Sequence, residues 1–222
     1  MHARNIRKED FKALLQLDKK VYPTDSPVTP RNLNAWYKKY PGFGIVYEEE
    51  GQLAGMLVAI PLSPKGLQQL VYGKLIESEL TDKLLFDKTR DNGLGIHIYH
   101  IERLNERKGF YKTCFKDLAN VTKGFLEENN WLQMIGISAL CTTPEGIGLF
   151  ENKLGLKENF YASSEHIMER GNEKIIARER EIKSRESEGY KVIVRCKMLT
   201  AISFDKSPVW NYFAENLLFK TV

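Results

Sequence analysis

Residues 96–128, IHIYHIERLNERKGFYKTCFKDLANVTKGFLEE, decide how the rest of this chain is arranged. Ile96, Ile98 and Ile101, with His97, Tyr99 and His100 between them, read as a strand. Residues 105–109 read as a short polar loop, and 110–128 as an amphipathic helix. A strand that runs through a tight loop into a helix offers unpaired backbone N–H groups and the positive end of the helix dipole, where a phosphate binds. Lys108, Gly109 and Lys112 stand at that point. An ordinary strand–helix unit with surface lysines has the same local pattern, so the other stretches must decide.

Working outward, 131–140 is a second largely apolar strand, and a strand–helix–strand run of this length implies a parallel pair with a right-handed crossover. Before it, residues 3–6 read as a short strand. Phe11, Leu14, Leu15, Leu17 and Val21 give a first helix that stops at Pro23, and a second helix starts near Thr29 and Pro30. Residues 43–47 and 52–60 read as a hairpin, with Ala54 and Gly55 implying close backbone approach. Apolar residues at helical spacing over 64–94 predict one or two helices. Residues 146–154 predict a short helix closed by Gly155, followed by strands over 159–168 and 190–199. The densely charged 172–188 reads as a solvated helix, and 208–218 as a last helix.

The chain has 222 residues, 42% hydrophobic and 11% aromatic, enough for one substantial core, and one domain over 1–222 is the expectation. Its net charge is +4 with the signs interspersed, which points to neither nucleic acid nor an acidic membrane as partner. No run reaches the roughly 20 apolar residues of a membrane span. Cys114, Cys141 and Cys196 are far apart and outside any CxxC, which argues against disulfides and zinc and for a reducing, cytoplasmic compartment.

The order of elements resembles the GNAT superfamily of acyl-CoA-dependent N-acyltransferases from about residue 4 to residue 168. Two pieces carry the resemblance. Residues 142–156, TTPEGIGLFENKLGL, are similar to the family's Asn-x-x-Ala-x-x-Leu-Tyr-x-x-x-Gly-Phe helix through Thr143, Gly146, Leu149, Phe150, Gly155 and Leu156. Residues 97–112 are similar to its pyrophosphate-binding strand and turn, and His100-Ile101-Glu102 to its amino-sugar branch. The resemblance implies an α+β fold: a central mixed sheet flanked by helices, with a helical insertion over 64–94 and a C-terminal helical extension over 171–222. It also implies acetyl-CoA or another acyl-CoA as co-substrate and a primary amine, on a small molecule or a protein, as acceptor. No metal is expected, and a homodimer is an open expectation.

The same comparison sets the expected site. Leu104, Asn105, Arg107, Lys108, Gly109, Phe110, Tyr111, Lys112, Thr113 and Phe150 would bind the acyl-CoA. Glu102, with His100 as the other choice, would accept the amine's proton, directly or through water. A backbone N–H near Leu104 would polarise the thioester oxygen. There are departures. The turn keeps one glycine, and Phe150 stands where many members have the tyrosine that protonates the leaving thiolate. These favour a second reading, a GNAT-like domain that binds CoA or a protein without catalysis; a third is an unrelated α+β protein whose C-terminal third mediates assembly.

Other readings stay beside these. Glu102 also suits an ion pair with Arg103, and Cys141 a small buried hydrophobe as much as a nucleophile. By simple alternation His97 and His100 point to opposite faces and do not share a cleft. Tyr22, Trp36, Tyr37 and Tyr40 fit an acceptor wall or, at helical spacing, core. The acceptor pocket would be built by 21–40 and 172–188.

Overall fold

The computed structural model describes residues 1–21, 27–104, 109–158 and 165–202. Strand β1 (His2–Asn5) leads through a 3₁₀ turn into α1 (Phe11–Val21). Arg4 ties this start together, its guanidinium 2.8 Å from Asp10 and 2.7 Å from Glu48. Helix α2 (Pro30–Tyr37) begins as its sequence dictates, with Thr29 Oγ1 accepting from Asn32 N at 3.3 Å and Pro30 in the first turn. Its aromatic stripe is core: Trp36 and Tyr37 are buried, and Tyr37 OH donates to Ala59 O at 3.0 Å. Tyr40 is half-buried against Phe86 and Phe125; Tyr22 lies outside the described residues.

β2 (Gly44–Glu49) and β3 (Gln52–Leu62) form the expected hairpin. Only the start of 64–94 is α-helical. Helix α3 (Pro64–Val71) stops before Gly73 at φ +62°, and apart from a 3₁₀ turn at Glu77–Glu79 the rest reaches β4 (Gly93–Arg103) through turns. Leu75, Leu80, Leu85 and Phe86 are buried all the same, so their spacing reported burial and not helix.

α4 (Phe110–Glu128) and β5 (Gln133–Cys141) follow, then α5 (Pro144–Gly148), which runs into a π-helical turn at Leu149–Lys153. Its i→i−5 bond runs from Leu154 N to Leu149 O at 3.3 Å, one residue wider than an α-helical turn. Gly155 closes the helix at φ +68°.

The remaining strands are β6 (Lys157–Glu158), β7 (Glu165–Arg170), β8 (Glu173–Arg178), β9 (Lys191–Arg195) and β10 (Lys197–Ile202), with α6 (Ile182–Ser187) between β8 and β9. This corrects the helical reading of 172–188 in part, since Glu173–Arg178 is strand and Ile182–Ser187 is helix, and of the extension over its described residues up to 202. Gly171-Asn172 is a two-residue hairpin turn with Arg170 opposite Glu173, so the first part of the charged segment is strand. The helix expected at 208–218 lies outside the described residues.

Two sheets result. The larger is mixed, in the order β1-β2-β3-β4-β5-β10-β6, and among the described residues β4–β5 is its one parallel pair. Helices and sheet bury one continuous core. The smaller, β8-β7-β9, packs Met168, Ala177 and Tyr190. β4 and β5 pair from Gly93 opposite Gln133 only as far as Ile98 opposite Ala139. Beyond that, β4 continues against β3 to Arg103 and β5 continues against β10 to Cys141, so the two strands part at their C-terminal ends.

Candidate active site

The parting of β4 and β5 opens a cleft of about 130 Å³. One wall is Tyr99, His100, Ile101 and Glu102, with Asp18 and Glu77 beside them; the other is Ala139, Leu140, Cys141, Thr142, Thr143, Leu149 and Phe150. A wider surface groove of about 770 Å³ lies between α1 and α2, over Phe11 and Leu15 and among Lys8, Lys12, Lys19 and Arg31. It shares no residue with the cleft and contains none of the expected site residues.

The first wall is shaped by a β-bulge. Val58 pairs with His100 but Ala59 with Ile98, which leaves Tyr99 as the extra residue. Paired residues face the same way, so the bulge puts His97, Tyr99, His100 and Glu102 on one face of β4. The expectation that His97 and His100 face opposite ways is therefore corrected. Tyr99 OH donates to Asp18 Oδ1 at 2.5 Å, and His100 Nε2 lies 3.0 Å from the same oxygen. Burial, and then the Asp18 carboxylate, push the Tyr99 phenol far above its ordinary range, so it stays protonated. Deeper in, His97 is fully buried between Ser138 Oγ at 2.9 Å and Glu77 Oε1 at 3.2 Å. The Glu102 side chain makes no hydrogen bond or ion pair among the described residues.

Asp18 and Glu77 were absent from the sequence reading. Asp18 had a signal, since it stands seven residues after Phe11 and four after Leu14 on the buried stripe of α1 and is 1% exposed. Glu77 had none, because it sits in a 3₁₀ turn within a stretch read as helix.

The second wall is mostly apolar, with Thr142 and Thr143 as its hydroxyl groups. Phe150 is buried and packs edge-on against Phe115, ring centroids 5.8 Å apart. Burial, with Glu151 and Cys196 adding to it, raises the Cys141 thiol to about 12, which keeps it protonated and favours the buried-hydrophobe reading.

Gly109, Phe110, Tyr111, Lys112 and Thr113 are not among the residues lining the cleft; Gly109 precedes α4 at φ +75° with nothing within 4 Å of where a Cβ would stand. Lys112 N and Thr113 N are engaged with Gly109 O at 3.0 and 3.4 Å. Among the described residues, Phe110 N and Tyr111 N are the helix-start donors left over. Lys112 is exposed and Tyr111 half-buried against Phe115. The Phe110 side chain is core, edge-on to Tyr47 at 5.1 Å and filling the space over Gly55, where a Cβ would come within 2.4 Å of its ring. Leu104 N donates to Ala54 O at 3.0 Å, so it faces β3 and not the cleft, against the expectation for an oxyanion donor. Strand alternation then turns the main-chain groups of Ile101 and Arg103 toward the gap. Asn105, Arg107 and Lys108 lie outside the described residues. Among the described residues no cluster of His, Cys, Asp and Glu has the make-up of a metal site, and no helix is long and apolar enough to cross a membrane.

The element order and the parting of the parallel pair make this a GNAT-like fold. No protein-family model matches the sequence, and no curated protein does. Solved structures with a similar path include the loading GNATL domain of CurA from Lyngbya majuscula (12% identity, TM-score 0.43). This chain spans 64% of that domain's length, just under two thirds, and the match covers 64% of this chain. Naa50 of Arabidopsis thaliana, solved with the bisubstrate analogue CoA-Ac-MVNAL, matches at 10% identity and TM-score 0.47 over 91% of this chain and 98% of its own. The GphF GNAT-like decarboxylase, solved with isobutyryl-CoA, matches at 13% and 0.48 over 91% and 99%. At these identities and scores the likeness extends to the path of the chain and no further.

Proposed function

We propose that this protein is an acyl-CoA-dependent N-acyltransferase, moving an acetyl or other short acyl group to a primary amine in the cytoplasm. The observation that supports it best is the parting of β4 from β5 beyond Ile98 and Ala139, above a helix start whose N–H donors at Phe110 and Tyr111 are unengaged among the described residues. In this reading the pantetheine arm pairs like a strand with the gap-facing backbone of Ile101 and Arg103. The diphosphate sits on the start of α4, with Gly109 giving close approach and Lys112 adding charge. Lys108, Arg107 and Asn105 complete that turn in the proposal. An amine held beside the thioester reacts largely through proximity, and Glu102 or His100 on the polar wall takes its proton. Phe150 and Cys141 shape the other wall without donating a proton. Three buried free cysteines suit the reducing compartment.

The test is thermal denaturation with acetyl-CoA. At ~100 times its Kd it adds ~2.7 kcal/mol to folding stability, and no shift at millimolar ligand removes the proposal. The alternative, a binding module without catalysis, draws on Phe150; it predicts the same thermal shift with no thiol release from acetyl-CoA in the presence of any amine.

A further inference from the structure

We infer that Asp18 is a positioning residue that fixes the tautomer of His100, leaving Nδ1 bare to serve as the base in the cleft. The inference rests on the acyl-transfer reading and decides what that reading leaves open, whether Glu102 or His100 takes the proton. It begins with where Asp18 is. A carboxylate 1% exposed on the core stripe of an amphipathic helix is costly unless hydrogen-bonded, and an apolar residue there would serve α1 better. Tyr99, which donates to its Oδ1, and His100, whose Nε2 lies 3.0 Å from the same oxygen, both line the cleft. They are adjacent in sequence and reach one oxygen because of the bulge at Tyr99. The carboxylate, the bulge and the cleft thus form a single arrangement.

Elimination leads to the same place. His97 is fully buried with both ring nitrogens engaged, by Ser138 and Glu77, and it does not line the cleft, so it presents no nitrogen to an incoming amine. Tyr99 is held as the neutral phenol, and Cys141 as the thiol. The Glu102 side chain makes no hydrogen bond or ion pair among the described residues, whereas a side chain held by a hydrogen bond is the better placed to act as a base. His100 is half-buried and, among the described residues, anchored at one nitrogen. A carboxylate behind one imidazole nitrogen keeps the proton there and leaves the other nitrogen its lone pair. As the amine nitrogen forms its bond to the acyl carbon, its proton passes to His100 Nδ1. The C–S bond breaks with the electron pair on sulfur, and the imidazolium returns the proton to the thiolate or to water.

The test is ¹⁵N NMR of the histidine ring nitrogens in the intact protein, with His100 assigned among four histidines by a His100→Gln variant. The neutral ring should carry its proton on Nε2. Asp18→Asn, whose amide can accept or donate, should give a mixture of tautomers, lower kcat for acetyl-CoA with a small primary amine by ~10- to 100-fold, and leave the acetyl-CoA Kd within about twofold. Tyr99→Phe removes the competing donor but keeps the carboxylate, and should retain the Nε2–H form; it decides the matter with the parent spectrum if Asp18→Asn does not fold. A parent ring protonated at Nδ1, or an Asp18→Asn variant with parental tautomer and turnover, overturns the inference while leaving acyl transfer intact. A parent protein that fails to bind acetyl-CoA removes the acyl-transfer reading and the role with it, and the ring spectrum tells that failure apart from a failed Asp18–His100 pairing.

Discussion

The two walls of the cleft are built from neighbouring strands and differ in kind. On the β4 side, the bulge at Tyr99 turns consecutive polar side chains inward to meet carboxylates brought by α1 and by the 3₁₀ turn at Glu77. On the β5 side, α5 and the π-turn present Leu149 and Phe150, and the one titratable group, Cys141, is held neutral by burial. Buried polar groups persist only where each finds a partner, whereas an apolar wall needs only shape. Proton handling is therefore confined to one wall and packing to the other. Substitutions on the first should change turnover more than stability, and on the second stability more than turnover.

The largest effect is expected on the polar wall. His100→Ala should lower kcat/KM by ~10² to 10⁴, the usual worth of a general base, with acetyl-CoA affinity unchanged by calorimetry. A matching loss of affinity would mean that His100 binds the acyl donor, and the division of labour would be wrong. On the apolar wall, Phe150→Ala removes a ring packed on Phe115 and should cost ~3 kcal/mol in denaturant unfolding, with kcat per folded molecule within about tenfold of the parent. The reverse outcome, a stable protein without turnover, would give Phe150 a part in the chemistry.

Gly55 tests how the polar wall is joined to the phosphate end. An alanine there would place Cβ 2.4 Å from the Phe110 ring and 2.6 Å from Glu102 O, pushing β4 and the first residue of α4 apart. Gly55→Ala should destabilise by ~1 to 3 kcal/mol and also weaken acetyl-CoA binding. Lost stability with unchanged affinity would show that the start of α4 is positioned independently of the sheet.

Much of this frame is legible in the sequence, for reasons that are local. The helix from Phe110 to Glu128 is long and strongly periodic, and Gly155 lies where only a left-handed residue closes a helix. Gly55 signals close approach, and Phe110 supplies it. What the sequence hides is longer in range or off the regular period. A bulge adds one residue and reverses the parity of everything after it, so alternation separates His97 from His100 wrongly. The Asp18–His100 contact joins positions 82 residues apart. The strand at Glu173–Arg178 is masked by its charges, although Gly171-Asn172 before it is a hairpin signal.

The smallest effect should come from Cys141, and it probes the comparison most directly, because this is the one titratable side chain on the apolar wall. Its thiol is raised to about 12, chiefly by burial. A group whose folded pKa lies above the unfolded value of about 8.5 is neutral at physiological pH and adds stability that is lost only as pH climbs past that unfolded value toward 12. At pH 8 the native thiol is overwhelmingly protonated. Cys141→Ala should therefore cost about 1 kcal/mol of packing and leave turnover within twofold. An aromatic disulfide reagent at pH 8 should modify the native thiol slowly and all three cysteines quickly after unfolding. Rapid native labelling at Cys141 with loss of turnover that Cys141→Ala reproduces would place a nucleophile on the wall that is here assigned to shape, and the proton transfers attributed to His100 would then have to serve a thioester formed on the protein itself.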